Sequence, residues 1–188
     1  MVTSYFMDLV TKEKIGTMRF MASNDPAQVE IIQSGLTVRK ATNQEDGVIA
    51  MSQVKLPPVC SVRLLVEKGG TSGSGYIGIG IAEPELLNVH PCYCNRENGV
   101  FVTYLNYKGG GLLCCGDLKV FSDFGEPFKT KDIVGFDLDL YEKEIIFYKN
   151  EKRFPTIDLS KLKETGVHLA VWLMYPGDQV SIVDYKVS

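Results

Sequence analysis

Bulky and small residues alternate strictly over residues 77–82, and similar β-type segments occur elsewhere in the chain. Isoleucines fill every second position, and glycine or alanine fills the positions between them: Ile77, Ile79 and Ile81 against Gly78, Gly80 and Ala82. A period of two is typical of a β-strand, whose successive side chains point to opposite faces. We therefore predict a strand with one bulky, buried face and one bare face on which another layer or loop can lie closely.

Further short segments show a similar β-type pattern and are separated by turn residues. They are residues 62–66, 99–104, 136–140, 145–148, 169–174 and 179–183. A turn at 141–144 joins two of them into a predicted hairpin, and a turn at 175–178 joins the last two. Helix signals are few and are confined to residues 24–29 and 158–163. The pattern predicts an all-β, antiparallel, two-sheet β-sandwich with few short helical turns.

Length and composition restrict the class of protein but do not indicate its function. The chain has 188 residues, of which 45% are hydrophobic and 23% charged, so we assign residues 1–188 to one soluble globular domain. With 20 Lys+Arg against 23 Asp+Glu, a net charge of −3 and no basic block, we expect no nucleic-acid partner. The sequence lacks an apolar run of spanning length and a secretory leader, so we expect no membrane and a cytoplasmic or nuclear location.

The cysteines raise the question of a metal site. They are Cys60, Cys92, Cys94, Cys114 and Cys115. An odd number without an export signal indicates reduced thiols. Together with His90 they could offer zinc ligands, but a Cys-x-Cys and an adjacent pair depart from the spacing of structural zinc sites. We predict buried thiols and no metal, and we keep a thiol or zinc sensor as an alternative.

Motifs for cofactor binding and catalysis are weak. Residues 73–78 match Gly-x-Gly-x-x-Gly, but a strand follows where a dinucleotide site needs a helix, so we predict no cofactor. Asp137 and Asp139 share a predicted strand face, as the paired carboxylates of a glycosidase could, although a solvated face explains them as well. His90 and His168 belong to no nucleophile motif, and the apolar surroundings of Trp172 favour core packing. A glycan-binding or glycan-processing β-sandwich stays as the alternative function.

Three parts of the sequence, taken together, resemble the SPRY domain. They are the glycine-alternating strand at 75–82, the turn, hairpin and aromatic strand at 131–140 and 144–150, and the closing strands at 168–172 and 176–182. The core likeness extends over residues 62–185, and residues 1–61 add N-terminal strands and an arm, with 36–40 similar to an N-terminal SPRY strand. The family signature ends in Asn-Gly, where this chain has Asn150 and Glu151. The resemblance implies a concanavalin-like jelly roll that serves protein interaction and is not an enzyme.

The resemblance also implies that a ligand meets loops at one end of the sandwich. The family's last loop corresponds to residues 175–178, and the long connection around residues 86–96 corresponds more loosely. The candidate partner-binding residues are Tyr175, Pro176, Gly177 and Asp178, with His90, Tyr93, Arg96, Tyr104 and Tyr107. We expect a monomer in which Tyr175 anchors a short peptide or loop of a partner protein in a shallow, pre-formed pocket.

Overall fold

The structure is a computed structural model. It describes residues 18–21, 27–42, 47–69, 77–88, 101–107, 110–115, 119–121, 124–160, 162 and 166–188. Its strands are β1 (Phe20–Met21), β2 (Val29–Ile32), β3 (Thr37–Lys40), β4 (Val48–Ser52), β5 (Val59–Lys68), β6 (Ile77–Ala82), β7 (Phe101–Tyr107), β8 (Gly110–Cys115), β9 (Lys119–Phe121), β10 (Ile133–Asp139), β11 (Glu144–Lys149), β12 (Lys152–Asp158), β13 (His168–Leu173) and β14 (Gln179–Val187).

These strands form two sheets. The first sheet has the strand order β1-β4-β13-β6-β7-β8-β9, and the second sheet has the order β12-β11-β10-β5-β14-β3-β2. Neighbouring strands pair antiparallel throughout. Apolar side chains from both sheets share one buried core between them. The predicted all-β, antiparallel, two-sheet sandwich is therefore confirmed.

Helical structure is slight in the described ranges. It consists of the short 3₁₀ turns Gln33–Gly35 and Pro84–Asn88. Residues 24–26 of the first predicted helical segment lie outside the described residues, and its last residue, Val29, begins strand β2. In the second segment Asp158 ends strand β12, and Leu162 N–H then donates to the Leu159 carbonyl oxygen at 2.9 Å, as in a single turn. Across the part of the chain that is described, no helix is long and apolar enough to cross a membrane.

The core explains the alternation in the sequence. Ile77, Ile79 and Ile81 are buried between the sheets, as predicted. On the opposite face of β6, a Cβ atom at Gly80 would lie only 2.0 Å from the carbonyl oxygen of Val102 on β7. No larger residue fits that position without moving backbone, so the bare face of the strand is a packing requirement.

A second apolar cluster lies on that bare face of the first sheet. It contains Ile49, Met51, Ala82, Leu86, Leu105, Ala170 and Trp172. Trp172 is only 6% exposed there, so its predicted role in packing is confirmed. The first sheet therefore buries apolar side chains on both faces.

The two predicted hairpins have different outcomes. β10 and β11 form the expected hairpin, with Asp139 opposite Glu144. The prediction that β13 and β14 pair with each other is wrong, because β13 lies between β4 and β6 of the first sheet. β14 lies between β5 and β3 of the second sheet. Residues 175–178, called the corner loop below, therefore carry the chain from one sheet to the other.

The turn between β11 and β12 keeps its shape without glycine. Lys149 lies opposite Lys152, which leaves Asn150 and Glu151 as the two turn residues. Both have left-handed backbone conformations, with φ values of 46° and 70°. Two-residue hairpin turns favour Asn-Gly because glycine adopts positive φ without steric cost. Glu151 therefore occupies a strained position.

Candidate interaction surfaces

The corner loop is locked by the side chain of its last residue. Asp178 Oδ2 accepts hydrogen bonds from the backbone N–H of Tyr175 at 2.8 Å and of Met174 at 3.3 Å. The Asp178 N–H in turn donates to the Tyr175 carbonyl oxygen at 3.0 Å. Gly177 supplies the left-handed conformation that this tight turn needs, with φ of 81°. The loop therefore has one defined shape.

The same loop is fastened to the end of β3. Gly177 N–H donates to the carbonyl oxygen of Lys40, and Lys40 N–H donates to the carbonyl oxygen of Asp178, each at 2.9 Å. The end of β5 also lies beside the loop, because a Cβ atom at Gly177 would be 2.9 Å from Nζ of Lys68. Tyr175, Pro176 and Gly177 are partly exposed on this framework. They form a fixed surface feature at one end of the sandwich.

Two predicted contact residues are buried, and their assignment needs correction. Asp178 is 0% exposed, so its carboxylate shapes the corner loop and is not available to a partner. Tyr104 is also 0% exposed, with its ring 5.2 Å from those of Phe128 and Phe154. The Tyr104 hydroxyl donates to the Glu126 carbonyl oxygen, and burial raises its pKa. Tyr104 is a core residue because it shares the inward face of β7 with Val102.

The other candidates stay predictions. Tyr107 ends β7, where its backbone lies opposite Gly110, and its side chain is outside the description. His90, Tyr93 and Arg96 lie outside the described residues, as do Cys92 and Cys94. Within the described ranges, no group of three or more His, Cys, Asp or Glu residues could hold a metal ion.

A second surface feature, which the sequence did not reveal, is a concave pocket on the outer face of the second sheet. Its volume is about 470 Å³, and its lining consists of Arg63, Ile133, Tyr148, Asn150, Glu151 and Asp184. We call it the Arg63 pocket. Four neighbouring strands contribute to it, because Gly135 of β10 lies opposite both Tyr148 of β11 and Arg63 of β5. Arg63 in turn lies opposite Asp184 of β14.

The floor of the Arg63 pocket is formed by the guanidinium of Arg63 over the ring of Tyr148. Gly135 carries no side chain, and a Cβ atom there would lie 2.8 Å from Cδ of Arg63. Arg63 can therefore extend across β10, where its guanidinium carbon lies 4.5 Å from the ring centre of Tyr148. Arg63 Nη1 also donates to the carbonyl oxygens of Phe136 at 2.8 Å and Val62 at 3.0 Å. The floor is rigid because several contacts hold it in place.

Asp137 neutralises the charge of Arg63. Its Oδ1 accepts from Arg63 Nη2 at 2.8 Å and from Ser61 Oγ at 2.7 Å, and the Tyr148 hydroxyl also bonds to the carboxylate. Burial acts to raise the pKa of Asp137, but these hydrogen bonds outweigh it and lower the pKa. Asp139 has a separate structural task, because its carboxylate accepts from the N–H groups of the turn at 141–142. The two carboxylates therefore do not work as a pair.

Cys60 is the one described cysteine whose side chain can be assessed. It is a free, buried thiol on β5. Burial, with a smaller contribution from the charge of Asp137, raises its pKa to about 12. A thiol with such a pKa stays protonated and packs as a small apolar group, as predicted from the sequence.

Comparison with solved structures identifies the fold. The chain matches the SPRY domain of human HERC1 with a TM-score of 0.65 at 14% identity, covering 85% of this chain and 96% of that one. It matches the TRIM65 PSpry domain with a TM-score of 0.67 at 9% identity, covering 93% of this chain and 98% of that one. The fold is that of a SPRY domain. No family model matches the sequence, and no curated protein sequence matches it.

The SPRY fold is also similar to a neighbouring class of domains. The neuralized NHR1 domain of Drosophila melanogaster matches with a TM-score of 0.59 at 13% identity, covering 89% of this chain and 98% of that one. Because every such identity is low, the likeness concerns the fold. The sequence resemblance to SPRY domains is confirmed at that level, and function has to be argued from the surfaces themselves.

Proposed function

We propose that the protein is a SPRY-type interaction module that holds a short peptide or loop of a partner protein against the corner loop. The observation that carries this proposal is the fixed conformation of residues 175–178. The Asp178 carboxylate accepts hydrogen bonds within the loop, and the backbone of Lys40 bonds to the loop from β3. A loop that is already ordered loses little conformational entropy on binding, so a short ligand can reach useful affinity. The likeness to SPRY and NHR domains supports a protein partner.

Tyr175 is the anchor in this proposal. Tyr175 is partly exposed and directly precedes Pro176, and tyrosine gives a large contact area with few rotatable bonds. Lys68, at the adjacent end of β5, adds a positive charge next to Gly177. His90, Tyr93, Arg96 and Tyr107 would extend the surface. The ligand would lie along this end of the sandwich, with its main chain near the polar groups of the loop.

Selection of binding peptides tests the proposal without a known partner. A random peptide library displayed on phage would be selected on the folded protein, and the affinities of enriched peptides measured by fluorescence anisotropy. We expect Tyr175→Ala to weaken these peptides by at least about tenfold, since an interface anchor typically contributes more than 1 kcal/mol. The matched control is Tyr141→Ala, because Tyr141 is 77% exposed in the turn between β10 and β11. Equal affinities for the wild-type and Tyr175→Ala proteins would contradict the proposal.

A further inference from the structure

We propose that the Arg63 pocket is a binding subsite for an arginine or lysine side chain of a peptide ligand. The pocket is distinct from the corner loop, and the proposal does not depend on Tyr175. Its apolar part is formed by Ile133, which is 42% exposed, and by the ring of Tyr148. Long basic side chains bury their methylene stems on such surfaces while the charged end stays at the rim.

The charge at the rim favours a cation. Arg63 is the basic residue of the lining, and its guanidinium is already matched by Asp137 and by two carbonyl oxygens. The two carboxylates of the lining, Glu151 and Asp184, come from opposite sides of the pocket, on the β11–β12 turn and on β14. A basic group entering at Glu151 would therefore meet a carboxylate that no described cation pairs with, whereas at Asp184 it would compete with Lys186.

Neighbouring cations offset part of this negative charge, but not at Glu151. Asp184 pairs with Lys186 at 2.9 Å, but Lys186 is 63% exposed, so water screens the pair. Arg153, which lies opposite Tyr148, donates to Thr156 Oγ1 at 3.3 Å, and this neutral acceptor does not offset the positive charge that Arg153 places near Tyr148. No described cation lies within ion-pair distance of the Glu151 carboxylate. A cationic ligand could therefore pair with Glu151 without breaking an ion pair to a described residue.

Backbone irregularities bring both carboxylates to the pocket. A shift of register between Ile182 and Asp184 keeps Asp184 on the outer face, where simple alternation after the buried Ile182 would have turned it inward. Glu151 is held at a φ of 70°, although glycine suits that position better. Bulges and strained residues are common at functional sites, because they aim side chains that regular strands would direct elsewhere.

The pocket and the corner loop can serve one peptide. Ile133 lies opposite Leu65 of β5, and the corner loop lies beside Lys68, three residues further along that strand. The strand rise of about 10 Å and the strand spacing of about 4.8 Å are perpendicular, so Ile133 lies about 11 Å from the backbone of Lys68, a distance that an extended peptide spans with about three to four residues. A basic residue at that separation from the segment held at Tyr175 would occupy both surfaces.

The test uses small probes, so it is independent of any peptide selected at the corner loop. N-acetyl-arginine amide is titrated into ¹⁵N-labelled protein, with N-acetyl-citrulline amide as the nearly isosteric uncharged control. We expect saturable shifts of the amide signals of Ile133, Asn150 and Glu151, with citrulline binding at least about fivefold more weakly, as expected for loss of a charge-assisted hydrogen bond. N-acetyl-lysine amide should shift the same signals.

Two variants decide whether the carboxylates are responsible. Glu151→Gln and Asp184→Asn should each weaken arginine amide several-fold, whereas Glu142→Gln, in the exposed turn after β10, should leave it unchanged. The proposal is overturned if citrulline binds as well as arginine, if both variants bind as the wild type does, or if the shifts lie elsewhere. Tyr175→Ala should leave the binding of arginine amide intact, so this subsite and the proposed peptide site can fail separately.

Discussion

Replacing Glu151 by glycine should stabilise the protein. Glu151 has a φ of 70°, a left-handed conformation that costs a non-glycine residue about 1–2 kcal/mol. Glycine removes that cost but gives the unfolded chain more freedom, which offsets about 0.4–1 kcal/mol. The net gain should be about 0.5–1 kcal/mol, or roughly 1–4 °C in Tm for a domain of this size.

Urea and thermal unfolding, followed by the fluorescence of the buried Trp172, measure this gain. The neighbouring Asn150→Gly is a contrasting variant, because the Asn150 amide accepts from Ile133 N–H and donates to Asp132 Oδ1, each at 2.8 Å. Loss of two hydrogen bonds, at about 1 kcal/mol each, should make this variant less stable. If Glu151→Gly is no more stable than the wild type, the strain at this turn has been misjudged.

Three further predictions concern the side chains of Asp178, Asp137 and Cys60. Asp178→Ala removes the acceptor for Tyr175 N–H. The free energy of unfolding in urea should fall by about 1–3 kcal/mol, and peptide binding at the corner loop should be lost. If both quantities are unchanged, Asp178 does not lock the loop. Because the pKa of Asp137 is lowered in the folded protein, its carboxylate stabilises the fold fully above the ordinary pKa near 3.9. This contribution is lost as the pH falls through the lower pKa of the folded state. The urea concentration at the midpoint of unfolding should therefore decrease when the pH is lowered below about 4, and Asp137→Asn should make this decrease shallower. An equally steep decrease in the variant would contradict the role of Asp137. Cys60, with a pKa of about 12, should resist iodoacetamide at pH 8 until urea unfolds the protein, as peptide mass spectrometry would show; rapid labelling of the folded protein would refute its burial.

The periodic parts of the fold were predictable because local side-chain alternation fixes which face of a strand is buried. Residues 77–82 and the hairpin of β10 and β11 illustrate this, since each pattern is complete within a few consecutive residues. The pairing of β13 and β14 was predicted wrongly because a tight turn at 175–178 is compatible with a hairpin or with a change of sheet. Only the neighbouring strands decide between them.

The candidate sites were harder to predict, for physical reasons. Tyr104 is an aromatic residue in a short strand, and alternation with Val102 was the one local sign that its side chain points inward. The Arg63 pocket depends on Gly135, Tyr148 and Asp184, which come from three different strands and meet Arg63 only through sheet register. Asp184 also requires a bulge, which no period of two indicates. The departure from Asn-Gly at Glu151 was the one visible signal of this surface.

We propose above that the corner loop is the surface that binds a peptide. The most direct test is a map of backbone amide shifts of the ¹⁵N-labelled protein on addition of a peptide selected from a library. We expect the largest shifts at four residues that lie together at one end of the sandwich: Tyr175, Gly177, Lys40 and Lys68. Shifts concentrated at the opposite end, around Tyr141, with residues 175–178 unchanged, would contradict it.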